Sequence, residues 1–209
     1  MKSILLCLYL FALGSLAADI PTEINSDSVQ DASTKSNGKE SFDPASGNSI
    51  ITKRAASKHG FYRLNSSPVC FSARGNLFGT VTMPFAGKLA AMKLVHRYGY
   101  VTCHKYNPIH WSHWGCGHSK DYVNVVITTS LNRILLPPNQ FLKFNHQAGK
   151  WSKVPGYGAN SPELILSFFH PRYVYRGYQL RVWYGEDLMN WAEGDNAGRV
   201  CFDVYASYV

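Results

Sequence analysis

The sequence predicts an all-β protein: a single disulfide-bonded antiparallel β-sandwich or jelly roll behind a disordered propeptide. Three observations carry this. Apolar and polar residues alternate in several short runs, which is the period of a half-buried strand. Gly, Pro and Asn punctuate the chain between those runs. Aromatic residues make up 14% of the 209 residues and charged residues only 16%, a balance that suits pleated, packed surfaces.

The elements follow in chain order. After the Gly75-Asn76 turn, residues 77–82 read as a strand. Residues 88–96 read either as a strand or, through Leu89-Ala90-Ala91-Met92, as a helical turn. Val123, Val125 and Ile127 share one face, with Tyr122, Asn124 and Thr128 on the other. Pro137-Pro138-Asn139 then breaks the chain before a short strand at 141–144. Residues 163–169 form another strand, bounded by Pro155-Gly156 and Pro171. Leu180, Val182 and Tyr184 alternate with Gln179, Arg181 and Trp183, and residues 187–191 suit a short helix. Val200, Phe202 and Val204 alternate with Arg199, Cys201 and Asp203 to end the domain.

The N-terminus carries processing signals. One lysine precedes an apolar run of about a dozen residues that ends in small residues at Ser15 and Ala17. That run is too short to span roughly 30 Å of hydrocarbon and reads as a signal peptide over 1–17. Residues 18–54 are rich in Ser, Asp, Asn, Thr and Gly and lack any apolar period, so they cannot bury enough to offset their ordering entropy. They end at Lys53-Arg54, a dibasic pair in an accessible segment, and are expected to be a propeptide. The mature domain is then 55–209, with no transmembrane segment, and carries 16 bases against 7 acids.

Cys7 leaves with the signal, which leaves Cys70, Cys103, Cys116 and Cys201. An even count in a secreted chain implies two disulfides with three connectivities, of which Cys103–Cys116 and Cys70–Cys201 are favoured. Between Cys103 and His118 lie four of the eight histidines, His104, His110, His113 and His118. Imidazole and thiolate are zinc and copper ligands, but the spacing matches no structural zinc pattern. Once the cysteines pair, only the imidazoles remain. Trp111 and Trp114 in the same loop are candidates for stacking on sugar rings or for a lipid interface.

A second cluster, Glu186, Asp187, Glu193, Asp195 and Asn196, offers carboxylate and amide oxygens beside glycine turns. These are candidate calcium ligands, although the EF-hand spacing is absent. The bland alternative is a helix start at Glu186-Asp187 and a turn at Asp195-Asn196. Asn65-Ser66-Ser67 is a glycosylation sequon. No G-x-S-x-G, H-E-x-x-H or P-loop occurs, and with all four cysteines paired no nucleophilic thiol is left. The expectation is a non-enzymatic protein.

Several runs bear a likeness to known proteins. Gly99-Tyr100-Val101-Thr102-Cys103, Trp111-Ser112-His113-Trp114-Gly115-Cys116, Val126-Ile127-Thr128 and Leu135-Leu136-Pro137-Pro138 together resemble a secreted module of corals and sea anemones. The ending, Arg181-Val182-Trp183-Tyr184-Gly185-Glu186-Asp187-Leu188, Asp195-Asn196-Ala197-Gly198, Cys201 and Asp203-Val204-Tyr205-Ala206, is similar to that of uncharacterised skeletal organic matrix proteins of stony corals. The resemblance covers most of 71–206 and implies an extracellular, skeleton-associated protein of biomineralization. The chain departs from the usual acidic matrix protein in being basic, which counts against direct nucleation of calcium carbonate.

The function expected is that of a secreted extracellular matrix or binding protein whose basic surface holds acidic polysaccharides or acidic matrix proteins. No nucleic acid partner is expected. A secreted toxin or antimicrobial protein acting on membranes fits the same signal, propeptide and basic, Trp-rich domain. Tissue location separates the two.

Overall fold

The computed structural model describes residues 60–143 and 148–209. The expected signal peptide and propeptide, with Lys53-Arg54, lie outside the described residues.

Nine strands and one short helix make up this part. They are β1 (Phe61–Arg63), β2 (Val69–Ser72), β3 (Gly79–Thr82), β4 (Gly87–Thr102), β5 (Val125–Thr129), β6 (Ile134–Leu136), β7 (Glu163–Val174), β8 (Gln179–Tyr184), α1 (Gly185–Met189) and β9 (Ala197–Tyr208). They build two antiparallel sheets. The first runs β1-β9-β4-β7, with β2 on a second stretch of β9, and the other runs β3-β8-β5-β6. Phe71, Leu89, Met92, Leu94, Phe202 and Val204 from the first sheet meet Val81, Val125, Ile127, Leu180 and Val182 from the second in one core. Each such buried side chain contributes about 1.5–3 kcal/mol. The expected all-β sandwich is the fold observed.

Both favoured disulfides form. Cys70 and Cys201 lie directly opposite each other in the β2–β9 register, and Cys103–Cys116 closes the loop after β4. The first closes a long loop, which in the chain-entropy picture is worth about 4–5 kcal/mol.

The differences from the expected elements have local causes. Residues 88–96 are strand, not helix, and belong to the 16-residue β4. The register of β4 slips between Leu89 and Ala91 and again between His96 and Tyr98. Each bulge adds a residue and shifts the phase, so Leu89 and Met92 both reach the core at a spacing that imitates a helix. Opposite the first bulge, Leu89 pairs with Arg172 and Ala91 with Ser167, so Phe168–Pro171 of β7 swells outward. Pro171 is tolerated because β7 is the sheet's edge. Residues 141–143 are not a strand. Asn139–Phe141 is a 3-10 turn, and only Leu142 bridges, to Ser152. The helix begins and ends two residues earlier than expected, because Asn190 takes a left-handed conformation (φ 49°) and stops it.

At Gly198, beside the histidine loop, a side chain is excluded outright. Its φ is +94°, and an added Cβ would collide with the Tyr100 carbonyl and stand 2.7 Å from the Trp111 ring.

Candidate functional site

One end of the sandwich gathers most of the polar chemistry. The β2–β3 turn, the 103–118 loop, α1 and the 190–196 turn meet there. Lys105 donates its backbone N–H to Asp195 O (2.7 Å) and its Nζ to Gly194 O (3.1 Å), which latches the histidine loop to the acidic turn.

The acidic residues are tied largely to internal donors. Asp187 accepts the N–H of Asn76 (2.8 Å) and of Leu77 (3.1 Å), so it staples the β2–β3 turn to α1. Glu186 accepts Trp151 Nε1 (2.9 Å) and Asn196 Nδ2 (2.9 Å). Glu193 takes the Gly75 N–H at 3.3 Å, and Asp195 Oδ2 sits 3.1 Å from His104 Nδ1. Burial pushes the Glu186 carboxyl up. Asp187 is pushed up to about 6, chiefly by burial; its two backbone donors oppose the shift and the neighbouring Glu193 adds to it. The five residues share one region, but no three of its four carboxylates converge to ligand range among the described residues.

Sequence reasoning missed the residue that organises this cluster. Asn124 donates to Gly149 O (2.6 Å), accepts the Glu186 N–H (3.0 Å), and its backbone O takes the Gly185 N–H (2.8 Å). Its side chain sits on the face expected to be polar and solvated, yet it is fully buried. Three glycine- and helix-start donors and acceptors around one Asn are a tertiary arrangement with no periodic signal.

The histidine loop is held by its disulfide, by a two-way backbone bridge between Val101 and Ser112 (both 2.9 Å), and by Asn107 capping the turn at Pro108–His110. His104, His110 and His118 form a row. Adjacent ring centroids are 5.3 Å apart in both steps. His113 points elsewhere, stacked on His96 at 3.8 Å.

The two tryptophans part company. Trp111 lies over Gly198 and is 36% exposed. Trp114 is fully buried, with its Nε1 donating to Ser161 O (2.7 Å) and its ring against Phe202. It is a core residue and has no face to offer a ligand, which corrects its candidacy for stacking. Asn65 also proves to be structural. The amide nitrogen that a glycan would occupy donates to Ser67 O (2.8 Å) and Asp203 Oδ1 (3.0 Å), while its Oδ1 accepts the Val204 N–H (2.7 Å).

A further concave surface lies elsewhere, and the sequence did not reveal it. Two adjoining hollows of about 340 and 710 Å³ share Phe141, Val154, Pro155 and Tyr157. The crossing of 139–143 with 151–153 shapes them, through Lys153 N to Phe141 O (2.9 Å) and Lys143 N to Trp151 O (3.2 Å). Asp121, Lys143 and Lys153 also line the larger hollow, where Lys153 Nζ lies 3.6 Å from Asp121 Oδ2. Aromatic and proline residues with a few polar groups thus line an open groove.

A two-sheet, disulfide-stapled sandwich with an aromatic-floored groove is the class these features define. Neither a protein-family model nor a curated protein sequence matches the chain. A solved structure does. "AJLec from the Sea Anemone Anthopleura japonica" is 40% identical, superposes with a TM-score of 0.66, and is matched over 72% of this chain and 98% of its own. The chain belongs to the same family as this sea anemone protein. The cnidarian half of the resemblance read from the sequence therefore stands.

Proposed function

We propose that the protein is an extracellular, non-enzymatic carbohydrate-binding protein that takes acidic glycans in the groove of Phe141 and Tyr157. The observation that carries this is the 40% identity over nearly the whole of AJLec, whose name reads as a lectin's. The groove supplies the chemistry. Sugar rings present C–H faces that pack on aromatic and proline rings, and their hydroxyls take hydrogen bonds from the rim. Lys143 adds a positive charge beside the groove that favours uronate or sulfate groups over neutral sugars, while Lys153 is shared with Asp121 at 3.6 Å. Such charge-led binding weakens as the Debye length shrinks to a few ångströms, near about 1 M salt.

The test is affinity chromatography of the secreted protein on heparin and on a neutral glycan, at low and high salt. Retention on heparin at low salt, release at high salt and loss of retention in Tyr157→Ala and in Lys143→Ala/Lys153→Ala support the reading. Flow-through at low salt refutes the acidic preference. Unchanged retention of all variants refutes the groove.

Secretion through a signal over 1–17, and processing at Lys53-Arg54, belong to the same proposal; N-terminal sequencing of the native protein should begin at Ala55. A role in a skeletal organic matrix is its finer form, checked by proteomics of demineralised skeleton.

Calcium is a second reading. Asn196 Oδ1 is buried without a protein partner, and Asp187 and Glu193 crowd each other as like charges. A hard, oxygen-seeking cation answers both. Calcium then raises the melting temperature and magnesium does so less; with no shift the acids are structural only.

A further inference from the structure

Along one flank the outer strands of the two sheets meet, β6 ending one sheet and β7 the other. Their seam carries the Phe141–Tyr157 groove beside Pro137, Pro138, Ile165 and Ser167. Further along it lies a separate hollow of about 280 Å³, lined by Arg133 from the β5–β6 turn and Arg172 from β7. We propose that Arg133 and Arg172 form a subsite for a sulfate group on a glycan chain whose other rings lie in the groove. The inference rests on the carbohydrate reading above and names the charged substituent that the chain carries.

The two arginines have no counter-ion. Every acid of 55–209 lies within the described residues, and each is engaged elsewhere or distant. Asp203 is held by Arg63 and Arg97, Glu163 by Lys93, and Asp121 by Lys153. Glu186, Asp187, Glu193 and Asp195 gather beyond the far end of β8, whose six residues span roughly 20 Å from the Tyr178 side of the hollow. No carboxylate lines the hollow, and among the described residues no ion pair or hydrogen bond reaches either guanidinium. Two like charges left unneutralised in one concavity raise the local concentration of anions. A guanidinium also presents paired N–H donors that match two oxygens of an oxyanion, which a lysine cannot do.

The backbone under both arginines is already fixed. Thr129 Oγ1 accepts the Arg133 N–H (3.2 Å), and Arg133 O accepts the Thr129 N–H (2.9 Å). At the tip of that turn, Asn132 takes a left-handed conformation (φ 61°) and its Oδ1 accepts Arg181 Nη1 (2.9 Å). Arg172 sits opposite Leu89 in the β4–β7 register. Binding therefore orders side chains only, which keeps its entropic cost small. Leu135 and Tyr178, both packed on the core, supply an apolar part of the lining, and Ser130 adds a hydroxyl. The hollow is smaller than the roughly 300–1,000 Å³ of a drug-sized ligand site, so it suits one charged substituent rather than a whole oligosaccharide. From Leu135 to Pro138, and from Ser167 to Arg172, the chain runs roughly 10–17 Å at about 3.3 Å per residue. That exceeds a single sugar ring, so one chain of several units engages groove and hollow together, and its second contact is intramolecular.

The experiment is calorimetric titration of the full secreted chain, disulfides intact, with a heparin hexasaccharide over a series of salt concentrations. The Arg133→Gln/Arg172→Gln double variant should bind at least about tenfold more weakly, and its slope of log affinity against log salt should be smaller by about two. Arg133→Lys/Arg172→Lys keeps both charges without the paired donors, so it should keep the slope and still lose affinity. Arg74→Gln, an exposed arginine in the β2–β3 turn, should bind as wild type. The same hexasaccharide stripped of its sulfates should bind the unmutated chain at least about tenfold more weakly, a comparison that does not depend on the variants. Circular dichroism checks that each variant is folded. Equal affinity of the folded double Gln variant and wild type, equal affinity for the sulfated and desulfated chains, or displacement by poly-aspartate as effective as by heparin overturns the subsite. Loss of affinity in Tyr157→Ala with the arginine variants unchanged keeps the groove and removes the subsite. Loss in the arginine variants with Tyr157→Ala unchanged keeps the subsite and removes the groove.

Discussion

Two clusters of reactive side chains lie side by side at one end of the sandwich and are used in opposite ways. In the 186–196 segment the Glu186 and Asp187 carboxylates turn inward, where Asn76, Leu77, Trp151 and Asn196 bind them. In the 103–118 loop the imidazoles of His104, His110 and His118 lie ring beside ring in a row nearer the surface. The contrast teaches that density of ligand-type residues in a sequence does not mark a site. What matters is whether the fold has already supplied those atoms with partners.

Mutations should break this symmetry sharply. The largest effect is expected for Glu186→Ala, which strands the buried donors of Trp151 and Asn196; it should cost roughly 3 kcal/mol in denaturant unfolding. A loss under about 1 kcal/mol would show that the carboxylate's own burial penalty cancels its hydrogen bonds.

Next is the seam between the clusters. Gly198→Ala must push away the Tyr100 carbonyl and the Trp111 ring, and about 2 kcal/mol or more should be lost. Trp111 should become more accessible to a fluorescence quencher. Unchanged quenching would mean that the strand ends, not the tryptophan, give way.

A smaller, pH-dependent effect sharpens the comparison. Asp187, at about 6 when folded, lies above its ordinary value, so the folded state binds the proton more tightly than the unfolded one. That contribution is fully present below pH 4 and is lost as pH rises through 6. Between pH 7 and 5 it should oppose ordinary acid destabilisation by on the order of 1 kcal/mol. Glu193→Gln removes the like charge and should raise the melting temperature at pH 7 more than at pH 5. Equal shifts at both pH values would refute the coupling. The smallest effect belongs to the imidazole row, where His118→Gln should change stability by less than about 0.5 kcal/mol.

The sandwich and the strand pairs at 123–129, 179–184 and 199–204 were legible because a half-buried strand writes its period into the sequence. So was the disulfide pairing, since a short span and two chain ends leave little else. β4 was hidden because two bulges reset its phase. The groove was hidden because Phe141, Val154, Tyr157 and Ile165 come together from three segments that share no local pattern. Trp111 and Trp114 look alike in sequence, three residues apart, and only the position of the loop over the sheet separates an exposed ring from a buried one.

The Cys70–Cys201 bridge has a topological consequence. It joins a strand near the start of the described domain to one near its end, so residues 70 to 201 form a covalent circle. A single proteolytic nick at an exposed tip, such as that carrying Leu131, opens the circle but releases no fragment. On a gel without reductant the nicked protein runs as one species, and with reductant as two. A protein working among extracellular proteases would thus remain in one piece, with its sheets still paired, after a cut that would divide an unbridged chain.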